Sequence, residues 1–169
     1  MRIANKKREE QAKLYIKEHF EYKSNINGSG GLSSYDDYDL WLDHKLREHF
    51  GEVIRIDHVS ASTYFAINEE DKIVGMTNIR HYLNELLIVN GWGHIGYGVR
   101  PTERRKGYAT EILRLALIEC KKLGISEAMV GCLKENIASA KVITKNGGIL
   151  SREFIDEDGL TESIFLIKV

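Results

Sequence analysis

The segment "RPTERRKGYATEI" at residues 100–112 constrains the fold most, because a short apolar stretch there gives way to a long amphipathic helix. Apolar side chains recur at helical spacing over residues 107–123. Three cations, Arg104, Arg105 and Lys106, precede this helix, where the positive end of the helix dipole disfavours them. A bound anion would relieve this conflict, because the first backbone N–H groups of a helix lack partners within it. The sequence therefore predicts an anion site at a strand-to-helix turn.

Composition limits the classes of partner. The 169 residues indicate one domain over residues 1–169, and 24 Lys and Arg against 25 Asp and Glu leave a net charge of −1. A nucleic-acid or acidic-membrane binder normally carries a basic excess, so we expect neither partner. The two cysteines lack metal-ligand spacing and are expected to be buried free thiols, with no metal bound. No apolar run approaches the roughly 20 residues of a membrane span, and we expect a cytoplasmic protein.

The remaining elements alternate in type. Amphipathic helices are expected over about residues 5–22 and 34–50, the second capped by Ser34, with a glycine-rich loop between them. Strand patterns follow on both sides of residues 69–72, in "GHIGYGVR", in "EAMVGCL", and in two C-terminal segments after the helical "ENIASAKVITKN". This order predicts an α/β (α+β) domain with a mixed, mostly antiparallel twisted sheet of six to seven strands and helices on both faces.

Two linked motifs resemble a known family. The segment "VRPTERRKGYA" is similar to the acetyl-CoA-binding motif of GNAT N-acetyltransferases, whose core pattern is [Q/R]-x-x-G-x-[G/A]. The segment "NIASAKVITKNG" matches the family's next motif at the same offsets, with Asn136, Ser139, Ile143 and Gly147. The resemblance covers about residues 53–169 as the acetyl-CoA-binding core. It places the helices of residues 5–50 on the acceptor side, and it is greatest to ribosomal-protein alanine acetyltransferase-like and predicted bacterial acetyltransferases.

The resemblance implies a set of cofactor contacts. Backbone amides of about Arg105 to Ala109 would hold the pyrophosphate of acetyl-CoA, and the strand from Tyr97 to Val99 would pair with the pantetheine arm. The cations could also reach the 3′-phosphate. The expected cofactor-binding residues are Tyr97, Gly98, Val99, Arg104, Arg105, Lys106, Gly107, Tyr108, Ala109, Thr110, Asn136, Ser139 and Lys145.

The chain departs from the family at the usual proton donor. Most relatives carry a Tyr seven residues after the motif Asn, whereas this chain has Ile143, which cannot donate a proton. The resembled branch carries a Ser three residues after that Asn, so Ser139 becomes the candidate donor, with Tyr97 or Tyr108 behind it; Ser139 could equally be an ordinary helix-capping residue. His94, Glu85 or a chain of waters could act as the base, and His94 could instead be a buried, hydrogen-bonded histidine.

The acceptor groove is expected at two segments. These are the loop containing Gly30 and Gly31, interpreted as a mobile lid or a plain connector, and the stretch "RHYLNEL". That stretch supplies the candidate substrate-binding residues Arg80, His81, Asn84 and Glu85, or else a salt-bridge cluster at a strand end.

These residues favour direct transfer of an acetyl group from acetyl-CoA to a primary amine of a small molecule or of a peptide or protein N-terminus. Two alternatives remain at this stage. The missing Tyr favours a non-catalytic acetyl-CoA sensor, and the anion site alone would also suit a nucleotide. By family analogy, the C-terminal strands predict a homodimer.

Overall fold

Antiparallel pairing organises the chain into two sheets. The computed structural model describes residues 1–53 and 59–169. Its strands are β1 (Arg2–Ile3), β2 (Ala61–Ile67), β3 (Ile73–Arg80), β4 (Ile95–Val99), β5 (Glu127–Leu133), β6 (Ile149–Ile155) and β7 (Thr161–Lys168). Its α-helices are α1 (Glu9–Glu21), α2 (Tyr38–His49), α3 (Glu85–Val89), α4 (Tyr108–Lys122) and α5 (Ile137–Lys145). One sheet has the order β1-β2-β3-β4 and the other the order β5-β7-β6, which confirms the predicted mixed fold.

Helices cover both faces because the strands alternate their apolar side chains. Phe65 and Met76 belong to the core cluster of α1 and α2, in which Trp41 is fully buried. On the opposite face, Ile79 and Leu113 belong to the core that α4 and α5 share with the second sheet. Burying each such side chain stabilises the fold by roughly 1.5–3 kcal/mol before chain entropy is counted.

The second helix begins later than the sequence predicts. The carboxylate of Asp37 accepts a hydrogen bond from Asp39 N at 2.8 Å and caps α2. Ser34 instead closes a short 3-10 turn over Leu32–Ser34. The predicted Ser34 cap is therefore wrong: both residues are good caps by type, and the preceding 3-10 turn leaves the helix start to Asp37.

The loop between α1 and α2 forms a packed wall. Gly28 has φ +71°, and a Cβ there would lie 2.6 Å from both Gly96 O and Tyr97 Cα. Trp41 Nε1 donates to Gly30 O at 3.2 Å, and Ser29 is buried. The loop therefore lies directly on the main chain of β4.

The strands β4 and β5 meet at one point and then separate. His94 N donates to Met129 O at 2.7 Å, and Met129 N donates to His94 Nδ1 at 3.0 Å. Beyond this clip, β4 pairs with β3 whereas β5 pairs with β7. An open notch therefore lies between the two sheets.

The histidine of this clip is expected to make stability depend on pH. Burial lowers the pKa of His94 below its usual 6.5, and the charge of Arg80 lowers it further. The fold holds the neutral ring, so this contribution to the free energy of unfolding is present above pH 6.5 and is lost as pH falls through the lowered pKa. We expect His94→Leu to lose about 1–3 kcal/mol near neutral pH, because Met129 N then lacks its acceptor.

His94→Asn is the matched control, because its amide oxygen can accept the same bond without titrating. Chemical denaturation at several pH values should give a shallower loss of stability on acidification for His94→Asn than for the wild type. Identical slopes for the two proteins would contradict this account of the clip.

Candidate active site

The N-terminus of α4 presents an unusually long row of free donors. The main-chain N–H groups from Arg105 to Thr110 have no acceptor among the residues that the structure describes. Gly107 caps the helix with φ +86° and no side-chain cap, and a Cβ there would meet nothing within 4 Å. Arg105 also has a left-handed φ of 63°. Successive N–H groups in such a turn form a concave anion site that fits a diphosphate.

The preceding cations differ in their availability. Lys106 Nζ donates to Glu103 Oε2 at 2.7 Å, and Lys72 Nζ donates to the other oxygen of the same buried carboxylate at 2.6 Å. These two bonds hold the pKa of Glu103 below its usual value. Arg104 donates to Val99 O at 3.3 Å and to Ser24 Oγ. The sequence analysis missed Glu103. This carboxylate neutralises Lys106, one of the three cations that were expected to bind an anion.

Only one of the three cations is unengaged. Arg105 is exposed and forms no ion pair within residues 1–53 and 59–169. Lys145 is also exposed, in the last turn of α5, and Asn146 next to it donates to Thr110 O at 3.3 Å. The end of α5 thus lies beside the first turn of α4, within reach of a ligand at the donor row.

Strand register decides which main-chain groups of β4 face the notch. Arg80 N donates to His94 O and Arg100 N donates to Val74 O, so the even-numbered residues of β4 pair with β3. Tyr97 therefore turns its N–H and C=O groups toward β5, and Val99 turns its N–H there, while Val99 O accepts from Arg104 Nε.

Gly98 has a different role from the one predicted. Its main-chain groups belong to the pairing with Met76, on the other edge of the strand. A Cβ on Gly98 would lie 2.6 Å from Asn27 O. Gly98 therefore lets the loop between α1 and α2 close onto β4, and its N–H does not face the notch.

Two hydroxyl groups meet at the notch. Tyr97 Oη lies 2.8 Å from Ser139 Oγ, and Ser139 N donates to Asn136 Oδ1 at 3.0 Å in the cap of α5. Burial raises the pKa of Tyr97 to about 12, although the hydrogen bond from Ser139 opposes this rise. The phenol is thus protonated at neutral pH and can donate a proton. Burial also raises the pKa of Cys132, so its thiol is a poor nucleophile.

A cleft of about 870 Å³ joins this hydroxyl pair to the loop between α1 and α2. The predicted residues that line it are Gly30, Gly31, Arg80, Tyr97, Asn136 and Ser139. The cleft is therefore lined both by residues expected near the acetyl end of the cofactor and by residues expected at the acceptor.

Four predicted catalytic or acceptor-binding residues do not line this cleft. Glu85 is exposed in the first turn of α3, and Asn84 caps that helix by accepting from Leu87 N at 2.9 Å. His81 Nε2 lies 2.8 Å from Ser62 Oγ, and burial lowers the pKa of His81. His94 Nδ1 already accepts a main-chain N–H, so the neutral ring carries its proton on Nε2. This geometry argues against His94 and Glu85 as the base.

The cleft contains four charged residues that sequence reasoning missed, namely Lys45, Glu48, Asp156 and Glu162. Lys45 Nζ and Glu48 Oε2 lie 2.6 Å apart, with both side chains almost fully buried. Glu162 on β7 lines the opposite part of the cleft, where burial and the charge of Asp156 raise its pKa. The available signal was the placement of Lys45 and Glu48, which stand at helical spacing beside Trp41 on the inward side of α2.

Other classes of site are absent from the described residues. No group of His, Cys, Asp and Glu side chains within residues 1–53 and 59–169 could hold a metal ion. Over the same part of the chain, no helix combines the length and apolarity needed to span a membrane.

Solved structures share this fold over nearly the whole chain. The yncA protein of Salmonella typhimurium, solved with its cofactor acetyl-CoA, is 13% identical with a TM-score of 0.67, over 99% of this chain and 91% of that one. A chimera of the spermidine N-acetyltransferase SpeG from Vibrio cholerae and hSSAT is 11% identical, with a TM-score of 0.64 over 99% and 94%. A Vibrio cholerae protein assigned as a ribosomal-protein-serine acetyltransferase is 16% identical, with a TM-score of 0.63 over 99% and 92%. At these identities the likeness shows the fold alone.

No curated protein matches the sequence. The family model for the acetyltransferase (GNAT) domain matches residues 7–149, which is most of the chain. The residues that the sequence analysis expects at the cofactor form a turn of free N–H groups beside an open strand edge, and both fit a diphosphate and its attached arm. The chain therefore belongs to the GNAT acetyltransferase family, and acetyl-CoA is its cofactor.

Proposed function

We propose that this protein transfers an acetyl group from acetyl-CoA directly to a primary amine, of a small molecule or of a peptide or protein N-terminus. The observation that carries the proposal is the contact between Tyr97 Oη and Ser139 Oγ, in the cleft that connects the notch to the acceptor side. The structural neighbours named for spermidine N-acetylation support an amine as the acceptor class. Acetyl-CoA supplies an activated acetyl thioester when bound.

The chain's own groups divide the work. The free N–H groups from Arg105 to Thr110 bind the diphosphate, while Tyr97 and Val99 hold the arm along the strand edge. The Val99 N–H faces the notch and can donate to the carbonyl oxygen of the acetyl group as negative charge develops there. Arg105 and Lys145 add exposed cations beside this turn, and neither forms an ion pair in the described part of the chain.

The Tyr97–Ser139 hydroxyl pair would donate the proton that the leaving thiolate needs. Ile143, which stands where most relatives have Tyr, is fully buried in the core and cannot contribute. Tyr97 reaches the same neighbourhood from β4 through its bond with Ser139. A donor supplied by another strand favours an enzyme over a non-catalytic sensor, because a sensor needs no protonated phenol there.

We also propose Glu162 as the proton acceptor, in place of Glu85 and His94. It lines the cleft, whereas Glu85 is exposed on α3. Ser163 pairs with Cys132, and Cys132 packs on the side of the sheet that α5 covers. Side chains alternate along a strand, so Glu162 lies on the opposite face of β7. Glu162 thus approaches the amine from the acceptor side, and its raised pKa makes it a better base than an ordinary carboxylate.

The cofactor site is tested by Gly107→Asp. The new carboxylate would repel the diphosphate, and we expect affinity for acetyl-CoA in calorimetry to fall at least tenfold, which corresponds to about 1.4 kcal/mol. Release of free CoA on addition of amines should fall with it. Gly107→Asn is the matched control, since Asn has the same size and tolerates the left-handed backbone. Equal affinity of the Asp and Asn variants would place the diphosphate elsewhere.

The acid and base roles are tested by the pH profile of kcat. We expect Tyr97→Phe and Glu162→Gln each to lower kcat by roughly 100-fold or more, and Glu162→Gln to remove the loss of rate at low pH. That loss should occur as pH falls through the raised pKa of Glu162, because the base must be ionised.

Ser139→Ala should lower kcat less than Tyr97→Phe, because it leaves the phenol in place. Glu127→Gln, on an exposed residue at the start of β5, is the control for charge removal. An unchanged acid limb in Glu162→Gln would exclude Glu162 as the base.

We further propose a homodimer formed through β6. This edge strand is exposed along nearly its whole length, with Ile149 72% and Ile155 71% accessible. Exposed apolar edges of this kind favour pairing with another chain. Light scattering should give the mass of two chains for the wild type, and Ile155→Lys should shift it toward one. A monomeric wild type would refute the dimer.

The buried free thiols Cys120 and Cys132 suit a reducing compartment, and we propose the cytoplasm.

A further inference from the structure

We infer that Arg80, supported by Lys45, binds a carboxylate of the acceptor, so that the acceptor is an amino-acid-like small molecule carrying both an amine and a carboxylate. This inference rests on the proposed amine acetylation and names its substrate class. It depends on how charge is distributed along the cleft that lies between the loop and the hydroxyl pair.

Arg80 has hydrogen-bonding capacity left over. Its Nη1 donates to Gly93 O at 2.6 Å, which holds the guanidinium against the wall of the cleft. In the described part of the chain, its Nε and Nη2 donors have no partner, yet they are not sealed from solvent as Arg100 Nε is. Arg80 lines the cleft, so these donors are available to a ligand that enters it. A guanidinium with two adjacent free donors matches the two oxygens of a carboxylate.

Two cations and one anion of the described residues lie together at this end of the cleft. Lys45 and Glu48 form a contact pair at 2.6 Å, with exposures of only 6% and 4%. Glu48 is also the carboxylate whose charge acts on Arg80. Among these three described side chains, two cations therefore face one anion, and burial lowers the pKa of Arg80 despite Glu48. An acceptor carboxylate would complete the balance.

The opposite part of the cleft is acidic. Asp156 and Glu162 line it from the β6–β7 side, and it is Asp156 whose charge raises the pKa of Glu162. An acceptor with an ammonium or amine at Glu162 and a carboxylate at Arg80 would match both ends. A polyamine such as spermidine would instead place a second cation beside Arg80 and Lys45.

The glycine loop supports this cationic end. A Cβ on Gly30 would lie 2.8 Å from Lys45 Cδ and 2.7 Å from Thr63 Oγ1. The loop thus presses directly on the lysine and holds its ammonium beside Glu48. Replacement of the loop by a bulkier one would displace the lysine from the cleft.

The test compares matched acceptors. Leucine and leucinamide, phenylalanine and phenylalaninamide, and spermidine are offered with acetyl-CoA, and free CoA release gives kcat/KM. We expect each free amino acid to exceed its amide by roughly 10- to 100-fold, the worth of a hydrogen-bonded charge pair. Arg80→Gln should abolish this preference chiefly through KM, Arg80→Lys should retain part of it, and the control Arg114→Gln, on the exposed face of α4, should leave it unchanged.

The outcomes separate this inference from the proposed function. A preference for spermidine, or equal turnover of acid and amide, would overturn the carboxylate site while acetyl transfer to amines stands. A preference that survives Arg80→Gln would overturn the assignment to Arg80. If no amine is acetylated although acetyl-CoA binds in calorimetry, the proposed function fails and this inference fails with it.

Discussion

The separation of β4 from β5 is the constraint on which the rest of the site depends. Two sheets that paired continuously would leave no free strand edge for a pantetheine arm and no passage between the two faces. The reciprocal bonds between His94 and Met129 fix where pairing stops. Past that point, both main-chain groups of Tyr97 and the N–H of Val99 lack a strand partner, because β3 satisfies only alternate residues. The ring of His94 thus takes the place of a main-chain acceptor for Met129 N, and the edge of β4 beyond it stays open.

The same separation leaves the proposed cofactor and acceptor residues on opposite faces. The donor row of α4 and the Tyr97–Ser139 pair lie on the side of the core shared by α4 and α5. Lys45 and Glu48 lie under the loop on the other side, with Arg80 and Glu162. Acyl transfer needs the two reactants to be held in line, and a cleft through the notch provides this without moving either sheet.

Electrostatics in this chain are local although the net charge is close to zero. Glu103 neutralises Lys106 and Lys72 beside the diphosphate turn, which keeps the cluster stable before a ligand arrives. Within the cleft, the charges separate into a cationic end at Arg80 and an acidic end at Glu162. The net charge of −1 is therefore compatible with two proposed binding surfaces of opposite charge.

The sequence by itself predicted most of the helices and strands and an anion site before α4, because these depend on local patterns: apolar periodicity along α4, and cations and a glycine before its start. It also predicted Ser139 and Tyr97 among the candidate donors, since the substitution at Ile143 directed attention to them. Only the tertiary structure decided that these two hydroxyls touch, that Gly98 packs against Asn27 rather than facing the cofactor, and that Glu85 lies outside the cleft. It also revealed Lys45, Glu48 and Glu162, whose roles arise from contacts between distant segments. The periodicity of a strand or helix indicates which face a side chain occupies. Which residue that side chain contacts depends on strand register and on how the two sheets diverge.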